Sequence, residues 1–394
     1  MKICFITNDI FELGGVQRVV SVLADKLTEE HEVTVLCTKE TKINRELYNI
    51  STNLKIDIQP NIFKTNIFSK FIRKVIKEIN QKIGVLNKEK YCKYLAKIYY
   101  PKKITNNFIK YFSDNNYDVI IGVEGIYSIL LGYIYNEIDS KLIGWQHNSY
   151  DAYLKNKNRY YWNLDILFEK YVKRLDKYIV LTEYDRVMFK KEKKIECNTI
   201  ANPRSFISEE KSTLEKKQFL AAGRFTYQKG FDLLIESFNL FSKKNSEWNL
   251  VIVGEGEEKE KIKGLIDKYS LQNRIRIDSF TDNIQSYFLD SSALLLSSRW
   301  EGMPMIVLES LEMGVPIISY DISAIEPLVT DRKEGVIIEK YDVEKFSNAM
   351  NEIVNNKFRK YLGANCTMKS DEFGIDQIIR KWNNILLDES CIGE

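Results

Sequence analysis

The segment "KICFITNDIFELGGVQRVVSVLADKL", residues 2–27, decides the fold class. Its first six residues form a short apolar run, which predicts a buried strand. Gly14 and Gly15 then turn the chain. Apolar residues follow at the spacing of three and four that is typical of a helix, at Val16, Val20, Leu23 and Leu27. A strand, a tight turn and an amphipathic helix in this order predict an α/β fold.

Ten further apolar runs of the same kind follow along the chain, each bounded by polar residues or glycine. They are "EVTVLC", "DVIIGV", "KLIGWQ", "YIVLT", "QFLAAG", "NLVIVG", "IRID", "ALLLS", "PIISY" and "GVIIE". Continuous apolar runs indicate parallel strands that are buried on both faces. The predicted fold class is therefore α/β, with two Rossmann-like, doubly wound parallel-sheet domains that face a cleft.

The boundary between the two domains is predicted near Asn202-Pro203, which turns the chain before a polar segment that ends at Lys217. The N-terminal domain would comprise residues 1–202 and the C-terminal domain residues 203–372. A last helix, at about 373–390, carries an apolar face that could pack on either domain, and we predict that it packs on the N-terminal domain.

Composition argues against a membrane-spanning chain, a disulfide framework and a dedicated metal site. The 394 residues include 58 basic and 55 acidic ones, and no run of about 18 apolar residues that could span a membrane. Six cysteines without a Cys-x-x-Cys pair predict reduced thiols in the cytoplasm. Only two histidines and no Asp-x-Asp are present, so neither a metal nor a resident cofactor is expected.

Residues 63–112 differ from the rest of the chain in charge. Between Lys64 and Lys110 there are thirteen basic residues and two acidic ones, and aromatic residues are interleaved with them. Three interpretations are open: a surface on an anionic membrane, a nucleic-acid footprint, and an ordinary solvated helical face. We favour the membrane, since no nucleic-acid motif accompanies the charge. The predicted location is cytoplasmic and peripheral at the inner face of the cell membrane.

Two stretches carry residues suited to phosphate. Gly14 and Gly15 open a helix, where free amides favour an anion, although an ordinary strand-to-helix turn has the same pattern. In "AAGRFTYQKGFDLLIESF", Gly223 and Arg224 end a strand and Lys229 follows five residues later. The two cations could converge on one diphosphate, or be ordinary surface residues beside a helix cap.

Two other stretches place polar side chains after predicted strands. His147 follows "KLIGWQ", at the strand end where such sheets bind ligands. In "EGMPMIVLE", Glu301 and Gly302 follow the strand "ALLLS", and Pro304 suits the first turn of a helix that carries Glu309.

These four stretches, with "VIVGEGEE" and "GVPIISYD", resemble the family-4 retaining glycosyltransferases of GT-B fold over nearly the whole chain. The similarity is greatest to bacterial enzymes of surface-polysaccharide, lipopolysaccharide or teichoic-acid synthesis. The resemblance implies transfer of a hexose or N-acetylhexosamine from a nucleotide sugar, with UDP chosen over GDP, to a lipid-linked or polymer-bound glycan. A UDP-sugar epimerase, or another nucleotide-sugar-using enzyme on the same fold, is the alternative.

The resemblance also implies that the N-terminal domain binds the acceptor and the C-terminal domain binds the nucleotide sugar. It implies the roles of individual residues as well. Arg224 and Lys229 would stabilise the leaving diphosphate without a metal, Glu301 would bind sugar hydroxyls, and His147 would contact the donor sugar near the reacting centre. Glu309 would bind the ribose hydroxyls. The catalytic set is thus His147, Arg224, Lys229 and Glu301. The donor-binding set is Gly14, Gly15, Gly223, Arg224, Lys229, Gly254, Phe280, Glu301, Gly302, Met303, Pro304, Met305 and Glu309.

Overall fold

The computed structural model describes residues 1–157 and 159–388. The chain forms two compact units. The first contains Met1–Ala201 and the last helix from Ile378 onward, and the second contains Asn202–Gln377. The assignment of acceptor binding to the first unit and donor binding to the second stays a prediction.

The first unit is built on a seven-stranded sheet in the order β3-β2-β1-β4-β5-β6-β7, in which every pairing is parallel. The strands are β1 (Lys2–Thr7), β2 (Glu32–Cys37), β3 (Lys55–Ile58), β4 (Val119–Val123), β5 (Lys141–Trp145), β6 (Lys177–Val180) and β7 (Asn198–Thr199). The central strand β1 pairs with β2 on one side and β4 on the other, and its residues from Ile3 to Ile6 are fully buried.

Eight helices connect these strands in the described part of the unit. They are α1 (Gly15–Leu27), α2 (Ile67–Ile83), α3 (Cys92–Tyr99), α4 (Lys102–Asn115), α5 (Glu124–Tyr133), α6 (Tyr150–Lys155), α7 (Asp165–Val172) and α8 (Glu183–Met188). Most bury an apolar face against the sheet, as α4 does with Ile104, Phe108 and Phe112. Helix α2 is different, since Asn80 is its one fully buried residue.

The second unit is built on a six-stranded parallel sheet in the order β10-β9-β8-β11-β12-β13. The strands are β8 (Gln218–Ala222), β9 (Asn249–Val253), β10 (Ile275–Asp278), β11 (Ala293–Leu296), β12 (Ile317–Tyr320) and β13 (Gly335–Ile338). The helices are α9 (Phe231–Ser242), α10 (Lys259–Lys268), α11 (Ile284–Leu289), α12 (Met305–Glu312), α13 (Val343–Ile353) and α14 (Asn356–Ser370).

The last helix, α15 (Ile375–Leu387), packs on the first unit. The ring of Trp382 lies 4.9 Å from that of Trp145 and 6.5 Å from that of Phe5. The amine of Lys141 donates 2.7 Å hydrogen bonds to the carbonyls of Ile385 and Asp388 at the end of the helix. Residues 389 and 390 of the predicted helix lie outside the described residues.

The α/β fold class with two parallel sheets is confirmed, and all eleven predicted strands are present. Strands β3 and β7 were missed. Both lie at the edges of the first sheet, where one side of the strand has no neighbour. Strand β3 reads "KIDI" and β7 has two residues, so neither shows the apolar run that marks a central strand.

Two further expectations concern thiols and membrane spans. The five described cysteines are free and buried, and Cys391 lies outside the described residues. Among the helices that the structure describes, none combines the length and the apolar character needed to cross a bilayer.

Candidate active site

The predicted site residues of the second unit gather where the strands of its sheet end. Strands β8 and β9 come close together there, since the amide of Gly223 donates to the carbonyl of Val253 (3.0 Å). Gly254, with φ 156°, allows this approach, because a Cβ on it would lie 2.0 Å from the carbonyl oxygen of Gly223. The two strand ends therefore form one continuous edge.

The loop after β8 is joined to the loop after β11. Gly230 has φ 63°, and a Cβ on it would lie 2.2 Å from the carbonyl oxygen of Ser297. The amide of Arg299 donates to the carbonyl of Gln228 (2.7 Å), and Ser297 Oγ donates to the carbonyl of Lys229 (2.9 Å). These contacts hold the Lys229 loop against the loop that carries Glu301.

Lys229 and Glu301 form an ion pair, with 2.6 Å between Nζ and Oε1. The exposed fractions of their side chains are 16% and 7%, so solvent screens this pair weakly. Ser298 Oγ also donates to Oε1 of Glu301 (2.6 Å), and Gln228 Nε2 approaches Oε2 at 3.4 Å. A mostly buried carboxylate thus has one cationic and two neutral partners, which satisfies the requirement that buried charge be paired.

A second ion pair supports the same two loops. Both Nη atoms of Arg299 donate to the carboxylate of Asp232, at 3.0 and 2.9 Å. Burial alone would raise the pKa of Asp232, but the hydrogen bond and charge of Arg299 lower it. The guanidinium also lies 3.9 Å from the ring centroid of Tyr227, beside the Lys229 loop. Sequence reasoning missed this pair, whose two members are 67 positions apart.

Arg224 has a different environment from Lys229. Its side chain is exposed, and in the part of the chain that the structure describes it makes no ion pair or hydrogen bond. Its backbone is fixed, because its carbonyl accepts from the amide of Thr226 (2.8 Å). The predicted diphosphate-binding pair therefore consists of one open guanidinium and one amine that Glu301 neutralises.

The start of α12 lies directly after Glu301. Residues 301–304 are buried, and Pro304, at the cap position, gives the helix no side-chain cap within the described structure. First-turn amides without a side-chain cap are suited to an anion. The side chain of Met303 is buried, and its sulfur lies 3.1 Å from the amide of Asn202.

Helix α12 carries two buried carboxylates with different partners. Glu309 accepts a hydrogen bond from Ser205 Oγ (2.9 Å). Glu312 pairs with Arg204 (2.6 Å) and Lys211 (2.5 Å) and accepts from the amide of Ser208 (2.8 Å). Burial would raise the pKa of Glu312, but the lysine and the amide lower it. Glu312 thus fastens residues 204–211 to α12, whereas Glu309 faces a neutral hydroxyl of the same segment.

Phe280 lies two residues beyond β10, next to the end of β9. The amide of Gly254 donates to the carbonyl of Asp278 (2.9 Å), which ties the two strand ends together. The ring of Phe280 is 45% exposed. An exposed aromatic ring at this edge is available for stacking on a planar ligand.

His147 belongs to the first unit and follows β5. The imidazole is 7% exposed, and its centroid lies 4.2 Å from that of Trp145. Burial lowers the pKa of His147 to about 3, so the ring is neutral at physiological pH. Its Nε2 has no hydrogen-bond partner in the described structure. A neutral, unsatisfied ring nitrogen can donate to or accept from a ligand hydroxyl.

Gly14 and Gly15 also belong to the first unit, at the start of α1. Tyr48 fixes this turn, since its hydroxyl accepts from the amide of Gly14 (3.2 Å) and donates to the carbonyl of Glu12 (2.9 Å). The helix has no side-chain cap in the described chain, and Gly15 is exposed. Tyr48 is 34 positions away from Gly14, which left no signal in the sequence.

The structure brings the predicted residues of the second unit to one edge of its sheet, and it joins Lys229 directly to Glu301. His147, Gly14 and Gly15 lie at the corresponding strand ends of the other unit. The partners that sequence reasoning missed in the second unit are Ser205, Gln228, Asp232, Ser298 and Arg299.

Comparison with known proteins identifies the enzyme class. Residues 204–367 match the family model "Glycosyl transferases group 1". An uncharacterized glycosyltransferase of Haemophilus influenzae is 28% identical over 317 residues, which are 78% of this chain and 87% of that protein. The amylovoran biosynthesis glycosyltransferase AmsD of Erwinia amylovora is 31% identical over 173 residues, which are 44% of this chain and 48% of that protein.

A solved structure extends the comparison to the whole chain. TarM of S. aureus, crystallised with UDP, alpha-GlcNAc-glycerol and Fondaparinux, superposes with a TM-score of 0.75 at 14% identity. The match covers 98% of this chain and 100% of that one. The fold is therefore GT-B, and the family match and relatives show that the chain is a glycosyltransferase.

Proposed function

We propose that the protein transfers a hexose or N-acetylhexosamine, with retention of configuration, from a UDP-sugar to a hydroxyl of a lipid-linked or polymer-bound glycan. The reaction would serve the synthesis of a bacterial cell-surface polysaccharide, as in family-4 enzymes. One observation carries the proposal: the open guanidinium of Arg224 lies on the same sheet edge as the paired Lys229 and Glu301. The UDP bound to TarM and the amylovoran role of AmsD support the donor and product classes.

The charges at this edge suit a leaving diphosphate. Arg224 would bind it first, since its guanidinium has no protein partner to release within the described chain. Lys229 would then share its charge between Glu301 and the phosphate, while the carboxylate turns to the sugar hydroxyls. Together with the amides at the start of α12, these groups would stabilise negative charge that develops as the bond to the sugar breaks. No metal enters this proposal.

Positioning would supply the rest of the catalysis. The acceptor hydroxyl would attack the anomeric carbon from the face that the diphosphate leaves, and the departing phosphate oxygen would take its proton. His147 would hold a donor-sugar hydroxyl through its neutral ring, and Glu309 would exchange the hydroxyl of Ser205 for those of the ribose. Phe280 would stack on the base.

A lipid-linked acceptor would be presented at a membrane, and residues 63–112 form part of the proposal for that reason. Their charge would place the enzyme at the anionic inner face of the cell membrane.

The test is a transfer assay with a panel of nucleotide sugars and lipid-linked acceptors, read by mass spectrometry. We expect Lys229→Ala and Glu301→Ala each to lower turnover at least about 100-fold, the scale for losing one preorganised charged group. Lys217 and Glu247 provide matched controls, since they form an exposed ion pair at the opposite ends of β8 and β9. Lys217→Ala and Glu247→Ala should leave turnover unchanged.

Three results would contradict parts of this proposal. Near-normal turnover of Lys229→Ala and Glu301→Ala would overturn the site. A product of inverted anomeric configuration by NMR would overturn retention. Loss of activity in a chelator, restored by a divalent cation, would overturn the metal-independent mechanism. Release of an epimerised sugar without any transfer would favour the epimerase alternative.

A further inference from the structure

Helix α2 exposes its apolar side chains to solvent. Seven large apolar residues along it have exposed fractions between 39% and 86%. They are Ile67, Phe68, Phe71, Ile72, Val75, Ile79 and Ile83. At 100° per residue these positions fall on one half of the helix circumference, so they form a single stripe, which also contains Glu78 and Lys82 toward its C-terminal end. A contiguous exposed apolar surface of this kind marks a site of interaction.

The opposite face of α2, which is polar, is the one that rests on the protein. Asn80 is 1% exposed; its Nδ2 donates to the carbonyl of Asn163 (2.9 Å), and its Oδ1 accepts from the amide of Leu86 (2.8 Å). The side-chain Nδ2 of Asn163 donates in turn to the carbonyl of Gln81 (2.9 Å). Lys77 lies on the same side, 4.2 Å from the ring centroid of Tyr99.

This arrangement inverts the usual one, in which a surface helix buries its apolar stripe. Turning α2 over would bury that stripe but would leave Asn80 without its partners, so the contacts with Asn163 and Leu86 hold the helix as it is. Burial also lowers the pKa of Lys77 to about 8, in keeping with its position on the packed face of the helix. The apolar stripe is therefore held outward by specific contacts.

The charge around α2 decides what would cover the stripe. Lys70, Lys74 and Lys82 are exposed on the helix itself, and Glu78 is its one acidic residue. The wider segment between Lys64 and Lys110 has thirteen basic and two acidic residues. A second copy of the chain would bring the exposed lysines of two α2 helices together, which is repulsive. An anionic lipid surface attracts the lysines and receives the apolar side chains.

The structure also narrows the predicted membrane contact of the basic segment, residues 63–112, to one helix. Of its other aromatic residues, Tyr100, Phe108 and Phe112 are buried in the core of the first unit. Helix α3 buries Leu95 and Ile98, and α4 buries Phe108 and Phe112, so both use most of their apolar residues for folding. Tyr94 of α3, at 53% exposure, is an exception. Helix α2 uses almost none of its own in this way.

We propose that α2 lies in the plane of an anionic bilayer, with Phe68, Phe71 and Ile79 inserted between the lipids and Lys70 and Lys74 at the headgroups. This placement rests on the proposed membrane location of the reaction, and it adds the helix, the face and the residues that make the contact.

The test is sedimentation of the full chain with vesicles of phosphatidylcholine alone and of phosphatidylcholine with 30% phosphatidylglycerol (about this fraction, to set a moderate surface potential). We expect the wild type to prefer the anionic vesicles at least about 10-fold, since each lysine at the surface adds attraction. The double variant Phe68→Ser/Phe71→Ser should lose about 100-fold in binding, because each ring contributes about 10-fold. Lys70→Gln/Lys74→Gln should lose about 10-fold or more on anionic vesicles alone.

Two controls distinguish binding through α2 from non-specific adsorption to vesicles and from an effect on catalysis. Tyr361 and Met368 are exposed on α14, at 55% and 64%, and Tyr361→Ser/Met368→Ser should bind vesicles as the wild type does. Hydrolysis of the UDP-sugar in free solution should be unchanged in the α2 variants. Failure of the wild type to transfer sugar from any nucleotide sugar to any acceptor of the panel, with intact vesicle binding, would overturn the catalytic proposal and leave this one standing.

Three outcomes would overturn the placement of α2. The first is equal binding to both kinds of vesicle, and the second is full binding by Phe68→Ser/Phe71→Ser. The third is a dimer of the wild type by light scattering that this double variant dissociates, which would show that a second copy covers the stripe.

Discussion

Helices α2 and α15 are both strongly amphipathic, yet the protein uses their apolar faces in opposite ways. In α15, "IDQIIRKWNNILL", the apolar stripe is buried, including Trp382 at 0% exposure. In α2, "IFSKFIRKVIKEINQKI", the apolar stripe faces solvent, with Phe68 at 73% exposure. A periodic apolar pattern thus predicts the helix and its stripe, but it does not predict which surface covers that stripe.

The difference lies in which side chains of each helix contact the rest of the protein. Helix α2 has Asn80, whose amide can satisfy a backbone carbonyl and a backbone amide at once. Helix α15 instead brings an indole that fits between Phe5 and Trp145. Specific polar contacts can therefore override the tendency of an apolar face to be buried in the protein, provided that something else, such as a lipid bilayer, covers that face.

The largest effect is expected from Trp382→Ala. Removal of a fully buried indole should lower the free energy of unfolding of the first unit by about 3–5 kcal/mol. Urea denaturation followed by circular dichroism measures it. The matched change in α2, Phe71→Ala, should cost less than about 0.5 kcal/mol. Equal losses for the two variants would mean that the stripe of α2 is also buried in the folded protein.

The next effect is expected from Asn80→Ala. Its loss leaves a half-buried carbonyl and a half-buried amide without partners and should weaken the docking of α2 by about 1–2 kcal/mol. Hydrogen exchange read by mass spectrometry should show faster exchange within residues 67–83. Ile79→Ala, one position away and exposed, is the control and should leave exchange unchanged. Unchanged exchange in Asn80→Ala would remove the reason given for the inverted helix.

A smaller, pH-dependent effect is expected from Lys77. Burial lowers its pKa to about 8 from the ordinary value of 10.5, so between these values the unfolded chain binds more protons than the folded one. Stability should therefore rise with pH across the window of 8 to 10.5, by at most about 1.4 kcal/mol per pH unit. The difference in urea midpoint between wild type and Lys77→Met should shrink over this window. A constant difference would show that Lys77 stays charged where it docks.

The smallest effect on the folded protein is expected from His147. With its pKa lowered to about 3, the imidazole is neutral at all pH values above about 5. The pH profile of UDP-sugar hydrolysis should therefore show no inflection near pH 6.5. The wild type and His147→Gln should have profiles of the same shape there. Such an inflection in the wild type alone would place a protonatable, better-solvated histidine in the reaction.

Much of the second unit's candidate edge was predictable, and the reason is topological. Parallel strands end at one edge of a sheet, so residues that follow strands, such as Gly223 and Gly254 directly and Glu301 after a short loop, must lie near each other. Their partners were not predictable. Asp232 and Arg299 are 67 positions apart. Many pairs of opposite charge are as far apart in the sequence without being in contact, so the separation gives no signal. Nor does spacing predict that Lys229 contacts Glu301.

The sequence by itself determined the two parallel sheets and the existence of their amphipathic helices, because the periodicity of apolar residues follows directly from strand and helix geometry. Only the tertiary structure decided which face of α2 is exposed. That choice depends on whether Asn80 meets the backbone of Asn163 and Leu86, which lie outside the helix and, for Asn163, 83 positions away. Local patterns indicate which face of a segment can be buried, whereas the packing of the whole chain determines which surface covers that face.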